Sequence, residues 1–428
     1  MKRTERIHLV AGLVLIVAGV IADAAAGQSS PSNTPTVAFV RVESPAKRMQ
    51  YLARAEIWRD PGQLTPERLL AGPPLNDKSG VAEAPADRPF PCTFAGPGKT
   101  MGGNTPKFSC RTASGETIRV KYSDESTKSI NREVFSLVGA TRLLWALGFN
   151  ADPVYPITVE CHDCPQNPMS GSGTKAQRLF MAVYQPQFVD PAIVDEPDHQ
   201  GWRWGELDDA INSLPDGELK ARQRQHFDAL MLLGVFLQHG DRKPEQQRLA
   251  CRGMLNLQAG EFRPRDNARG QLAVFFERPG ATACDFPDVT VQDIGATFGG
   301  AGRTTNATTA KMNLDTWASR EIFHGTPDAG RGAPEECHGR LTVSMAAGEG
   351  SLGNPRIGES GRVFLLEQLR RLTDDHLRAI FTAARVNQMG LKHSWRDPEN
   401  GQVYTATDAW VAAFKHKVHQ IERRTCAP

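Results

Sequence analysis

From Arg222 to Gln238 the residue spacing predicts a helix that is apolar around nearly its whole circumference. Phe227, Leu230, Met231, Leu232, Leu233, Val235, Phe236 and Leu237 cover it. Such a helix has to be buried in a sizeable core. It delivers the chain directly into a polar run, His239-Gly240-Asp241-Arg242-Lys243-Pro244-Glu245-Gln246. Charged residues at the exit of a buried helix are held in place by the core beneath them, which suits a chemical site. Downstream, Gln292-Asp293-Ile294-Gly295-Ala296-Thr297-Phe298-Gly299 sets a carboxylate beside a glycine that lets the backbone turn. Phosphoryl transfer needs such parts: a carboxylate to orient a hydroxyl, a cation for the γ-phosphate and oxygen ligands for Mg²⁺.

The chain ahead of this helix reads as strands. Phe90 to Phe94, Phe108 to Arg111 and Thr117 to Tyr122 are short strand patterns, and Ala95 to Lys107 between the first two is rich in Gly. Successive backbone N–H groups in a turn of this kind, here around Gly102 and Gly103, can wrap a phosphate. The commoner reading is a plain hairpin turn. Asn131 to Phe149 has helical spacing, with Glu133 in its first turn and Gly148 at its end. A Glu there favours the helix dipole in any case. It is also placed to reach back to Lys121, twelve residues earlier. Val154 to Val159 and Arg178 to Tyr184 are two further strands, the second running into a hinge-like Gln185-Pro186-Gln187. Beyond the polar run, Arg362 to Leu372, Asp374 to Val386 (capped by Thr373) and Thr407 to Arg424 read as helices.

The N-terminus has the form of an export signal. Lys2, Arg3 and Arg6 precede an apolar run, Leu9 to Ala22, and small residues follow at Ala22-Asp23-Ala24 and Ala24-Ala25-Ala26. An uncleaved anchor is the alternative, although the run is shorter than the roughly 20 residues of a comfortable span. All eight cysteines follow this signal, and an even number in an exported chain favours disulfides. Sequence order suggests Cys92–Cys110, Cys161–Cys164 and Cys251–Cys284, leaving Cys337–Cys426. Cys161-His162-Asp163-Cys164 has redox-motif spacing, but no thioredoxin-like pattern surrounds it, and it reads as a structural staple. The net charge of +2 excludes a nucleic-acid binder driven by bulk charge.

These stretches together resemble the protein-kinase-like superfamily over about Phe90 to Val386. His239 to Gln246 is similar to the kinase catalytic loop, and Asp293-Ile294-Gly295 to the metal-binding Asp-Phe-Gly. Gly102-Gly103-Asn104-Thr105-Pro106-Lys107 is similar to the phosphate loop of HipA-like proteins. The Asp-Arg pair leans to the atypical branches: HipA-like, Golgi casein kinase-like and phosphoinositide kinase-like. The resemblance implies an α+β, two-lobed kinase-like fold, with a β-rich small lobe, a mainly helical large lobe and disulfide staples. The expected division is a signal at 1–26, an irregular N-terminal extension at 27–89, the small lobe at 90–187 and the large lobe at 188–428. An insertion occupies 252–290.

It further implies that Asp241 orients or deprotonates the acceptor hydroxyl and that Lys243 neutralises the γ-phosphate. Gly102, Gly103, Lys107, Lys121 and Glu133 would serve nucleotide binding, and Asp293 and Gln246 would hold Mg²⁺. Gln246 stands where kinases usually place an Asn, and its extra methylene moves the carbonyl by about one bond length. Two functions follow as expectations. One is an ATP- and Mg-dependent phosphotransferase acting on a hydroxyl of a protein, lipid or small molecule. The other is an exported pseudokinase, periplasmic or secreted, that binds a nucleotide or a partner without turnover. No nucleic-acid partner is expected, nor a stable membrane span once the signal is cleaved.

Overall fold

The computed structural model describes residues 37–75, 78–82, 84, 88–101, 105–124, 130–186, 190–196, 199, 201–240, 243–252, 262–266, 272–276, 284–299, 311–325, 336–341, 352–389 and 393–427. The leader at 1–26, Gly102, Gly103 and Asp241 lie outside them.

The stretch expected to be an irregular surface extension instead holds β1 (Val37–Arg41), α1 (Pro45–Arg54) and α2 (Pro66–Ala71). Both helices start at a Ser or Thr followed by Pro. Ser44 accepts from the Lys47 N–H at 3.2 Å and Thr65 from the Arg68 N–H at 3.2 Å, with the Pro in the first turn where no N–H is required. Two of the prolines in this stretch, Pro45 and Pro66, are therefore helix starts. α1 buries Tyr51, Leu52 and Ala53. The buried Arg48 guanidinium pairs with Glu206 and donates to the Gly201 carbonyl at 2.7 Å.

Five strands close into a barrel: β2 (Phe90–Pro97), β3 (Lys107–Arg111), β4 (Thr117–Ser123), β6 (Tyr155–Asn167) and β7 (Ser172–Tyr184), in the order β2-β3-β4-β7-β6. The pairs are antiparallel except β2 with β6, which run parallel and complete the ring. Alternating side chains point inward. Phe108, Ile118, Val120, Tyr122, Val159 and Phe180 make a separate apolar core there. Cys92–Cys110 ties β2 to β3. Cys161–Cys164 spans a bulge in β6, where Cys161 opposes Arg178, Cys164 opposes Ala176, and Asp163 takes a φ of 53°. This staple is internal to a strand, and both sulfurs are fully buried.

Between barrel strands run α3 (Glu133–Ala146) and the two-residue β5 (Asn150–Ala151). β5 sits at the edge of a seven-stranded mixed sheet with β8 (Ala192–Val194), β9 (Gln247–Cys251), β10 (Phe262–Asp266), β11 (Leu272–Phe276) and β12 (Pro287–Val291). The order is β10-β11-β1-β8-β9-β12-β5. β9 and β12 are antiparallel, and Cys251–Cys284 closes the excursion between them at its base. The remaining α-helices of the described residues are α4 (Trp204–Asn212), α5 (Glu218–Leu237), α6 (Leu314–Ala318), α7 (Glu359–Arg370), α8 (Asp374–Ala383) and α9 (Ala406–Glu422). From Phe227 onward α5 is buried on every side. Each large apolar side chain withdrawn from water in this way contributes about 1.5–3 kcal/mol. Cys337–Cys426 fastens the end of the chain after α9.

The protein is thus a mixed α+β fold with the four disulfides that sequence order suggests, a usage that agrees with export to an oxidising compartment. Among the described residues no helix is long and apolar enough to cross a membrane.

Candidate functional site

Lys121, near the end of β4, and Glu133, the first residue of α3, form an ion pair at 3.1 Å. Asn131 ties the end of β4 to the start of α3. Its side-chain amide donates to the Tyr122 carbonyl at 2.9 Å, its backbone N–H donates to Ser123 Oγ at 3.0 Å, and its Oδ1 accepts from the Glu133 N–H at 3.2 Å. The same Lys121 ammonium also pairs with Asp293 Oδ1. One buried lysine therefore joins a barrel strand, the start of α3 and the loop after β12.

Asp293 reaches this point because β12 pairs in parallel with β5. The Thr290–Asn150 and Val291–Ala151 register fixes the loop beside α3. Asp293 has a φ of 48°, so the chain turns sharply there. Ser136 Oγ on α3 donates to the Gly295 carbonyl and holds the next turn against the helix. Asp293 keeps 38% of its side chain exposed against 6% for Lys121, so a ligand can approach the carboxylate but not the ammonium's buried side.

The second oxygen of Glu133 is also occupied. Thr105 Oγ1 donates to Oε2 at 2.8 Å, and Lys311 pairs with the same atom. Burial works against both charges of the central pair. Asp293 and Glu133 outweigh it and raise the Lys121 ammonium, and Lys121 with Lys311 hold the Glu133 carboxyl below its usual range. Lys107 faces Lys121 across the β3–β4 ladder. Burial and then the Lys121 charge push its ammonium down, with partial relief from Asp293.

The two polar stretches flanking the α5 exit and β12 are laced together by the main chain. The Gly240 N–H donates to the Ala296 carbonyl at 2.6 Å, Phe298 N–H to the Leu237 carbonyl at 2.8 Å and Gln292 N–H to the Gln246 carbonyl at 2.7 Å. Gln238 closes α5 in the left-handed conformation, which turns His239 and Gly240 toward that loop. Gln246 is buried at the end of a short 3-10 turn, Pro244–Gln246, that starts after Lys243. Lys121, Glu133, Asp293 and Lys107 thus share one cluster, while Gln246 is joined through its main chain to Gln292, the residue before Asp293, and Lys243 precedes the turn that ends at Gln246.

Three contributors are given no individual role by the sequence reading. Thr105 follows the Gly-rich turn and is separated from Glu133 by 28 positions. Lys311 follows a stretch of small polar residues with no pattern. Asp152 is buried and accepts from Gln292 Nε2 at 3.1 Å and Gln185 Nε2 at 3.0 Å. It connects the residue before Asp293 to the end of β7. Burial pushes its carboxyl up to about 6. A cavity of about 640 Å³ lined by Phe323, Trp395, His416 and Arg424 shares no residue with the cluster.

No known family's sequence model matches the chain, and no curated protein matches it. Among solved structures it is similar to the crystal structure of a Helicobacter pylori proinflammatory kinase, CtkA. The TM-score is 0.37 at 11% identity, covering 78% of this chain and 96% of that one.

Proposed function

We propose that this chain is a kinase-like phosphotransferase that binds Mg·ATP at the Lys121 cluster and transfers the γ-phosphate to a hydroxyl acceptor. The observation that carries the reading is the single buried ammonium of Lys121 held between Glu133 and Asp293. A lysine oriented by a carboxylate on a neighbouring helix is suited to the α- and β-phosphates, and a partly exposed carboxylate beside it is suited to a hard cation. Magnesium takes one or two carboxylates together with phosphate oxygens, so Asp293 with the Gln246 amide oxygen is a fitting donor set. When bound, the metal supplies charge neutralisation for the phosphates.

In this reading the chain's own residues position and neutralise. Glu133 keeps Lys121 extended toward the phosphates, and Lys107 adds positive charge from the adjacent strand. Gly102 and Gly103 serve the nucleotide phosphates, as the resemblance implies. Lys243 meets the γ-phosphate. Asp241, one residue beyond the Gly240 N–H that the Ala296 carbonyl fixes, orients the acceptor hydroxyl or takes its proton.

Calorimetric titration of the oxidised full-length chain with Mg·ATP tests this. Binding should be lost in Lys121→Met and Asp293→Ala. In Asp241→Ala binding should persist while phosphate transfer stops. Wild-type protein that shows no Mg-dependent nucleotide binding removes the proposal. The burial of Gln246 favours a second reading. In it the site binds nucleotide without turnover, and Asp293-dependent binding with no transfer to any acceptor would distinguish the two.

A further inference from the structure

Glu133 carries more positive charge than it can neutralise. Lys121 sits on one oxygen and Lys311 on the other, with Thr105 donating to the second as well. Counting Lys107 on the facing strand, three lysines surround two carboxylates, Glu133 and Asp293. A cluster with excess cation and a partly open side is completed by an anion. The two lysines on Glu133 are not equivalent. Lys121 is 6% exposed and bound to two carboxylates, whereas Lys311 is 18% exposed and pairs with Glu133 alone among the ion pairs of the described residues.

The backbone around Lys311 is anchored while its side chain is long. The Met312 N–H donates to the Thr297 carbonyl at 3.1 Å and the Asn313 N–H to the Phe298 carbonyl at 2.7 Å. Met312 itself is fully buried, with a φ of 46°. The root of Lys311 is therefore fixed to the loop that carries Asp293, and its four-carbon stem can swing. Glu133 loses little when Lys311 leaves, because Lys121 and Thr105 remain.

Resting on the nucleotide reading above, we propose that Lys311 is a further phosphate-binding residue. It waits on Glu133 and passes to a nucleotide phosphate oxygen when Mg·ATP enters. The shift replaces one ion pair by another, so it needs no large movement of the fold. Lys121 stays in place as the fixed cation, and Lys311 is the mobile one.

The test uses the full-length oxidised chain, Mg·ATP as the probe and calorimetry at several salt concentrations. The thermal midpoint of each variant without nucleotide checks that it is folded. Lys311→Gln should weaken Mg·ATP by about tenfold, the scale of one charge-assisted contact, and should flatten the salt dependence of binding. Lys311→Arg should restore both. Unchanged affinity in Lys311→Gln overturns the proposal. So does weakened affinity with the wild-type salt dependence, which would mean that Lys311 only braces Glu133. If the wild-type chain binds no Mg·ATP, the nucleotide reading itself falls and takes this inference with it. A wild type that binds while Lys311→Gln binds equally well removes the inference alone.

Discussion

Gly295 lies so close to Glu133 that a Cβ at residue 295 would fall 2.4 Å from Glu133 Cγ and 2.9 Å from Leu137 Cγ. The glycine after Asp293 is therefore required by the helix it packs on. Gly295→Ala must displace either the Glu133 stem or the loop. Overpacking of this kind costs about 1–3 kcal/mol, read as a lower urea midpoint. Mg·ATP binding should weaken in parallel, because the displaced carboxylate is the one that orients Lys121. Gly205→Ala, in α4 where a Cβ meets nothing within 4 Å, is the control: it should leave Mg·ATP binding unchanged and should not lower the urea midpoint.

Lys121→Met separates binding from stability. Removing one member of a buried pair usually costs about 3–5 kcal/mol because the other charge is stranded. Here Glu133 retains Lys311 and Thr105, and Asp293 is partly hydrated. The single variant should therefore lose much less than that in denaturant, while losing nucleotide binding entirely. Lys121→Met combined with Lys311→Met leaves Glu133 without a cation, and the double variant should fall below the sum of the singles by about 1 kcal/mol or more. Strict additivity would mean that the two lysines do not share Glu133.

Much of this architecture is legible in the sequence. The strands at Phe90, Phe108 and Thr117, the helix starting at Glu133 and the buried helix ending at Leu237 all follow from local periodicity. The reach of Glu133 to Lys121 is legible too, because a strand, a short turn and a helix start leave few other places for them. Contacts that depend on long-range register are not legible. Asp293 meets Lys121 only because the two-residue β5 pairs with β12, and two residues have no periodicity to read. Lys311 and Asp152 are placed by backbone bonds and burial that no local pattern announces. The Ser44-Pro45 and Thr65-Pro66 helix starts are masked by the density of Pro and Gly in this part of the chain, which reads as loop.

The four disulfides should contribute very unequally. In the loop-entropy account stabilisation rises with the length of chain enclosed, and Cys337–Cys426 encloses a separation of 89 residues against 3 for Cys161–Cys164. Replacing both cysteines of a pair by Ala should cost about 4–5 kcal/mol for the first and about 2 kcal/mol or less for the second. Urea unfolding of the two double variants under non-reducing conditions gives the comparison. A larger loss from the Cys161–Cys164 pair would mean that the β6 bulge, rather than chain entropy, is what that bond protects.

The buried carboxyl of Asp152 gives stability a pH dependence of known sign. Burial raises it from 3.8 to about 6, Gln292, Arg248 and Gln185 pull it down, and Asp293 adds to the rise. A carboxyl that holds its proton more tightly when folded contributes stability at low pH, and that contribution is lost as pH rises from about 4 through 6. Asp288, raised by burial to about 7, drives wild-type stability the same way, so wild type alone does not isolate Asp152. The difference between Asp152→Asn and wild type does. Asn stays neutral throughout, so the variant should gain on wild type by roughly 1–3 kcal/mol between pH 4 and pH 7. Urea midpoints at unit intervals of pH measure it, and a difference that stays flat would mean that Asp152 keeps its charge in the folded protein. Asp293 is the second readout: relieved of a buried like charge behind Gln292, its loop should bind Mg·ATP with a weaker pH dependence in the variant over the same interval.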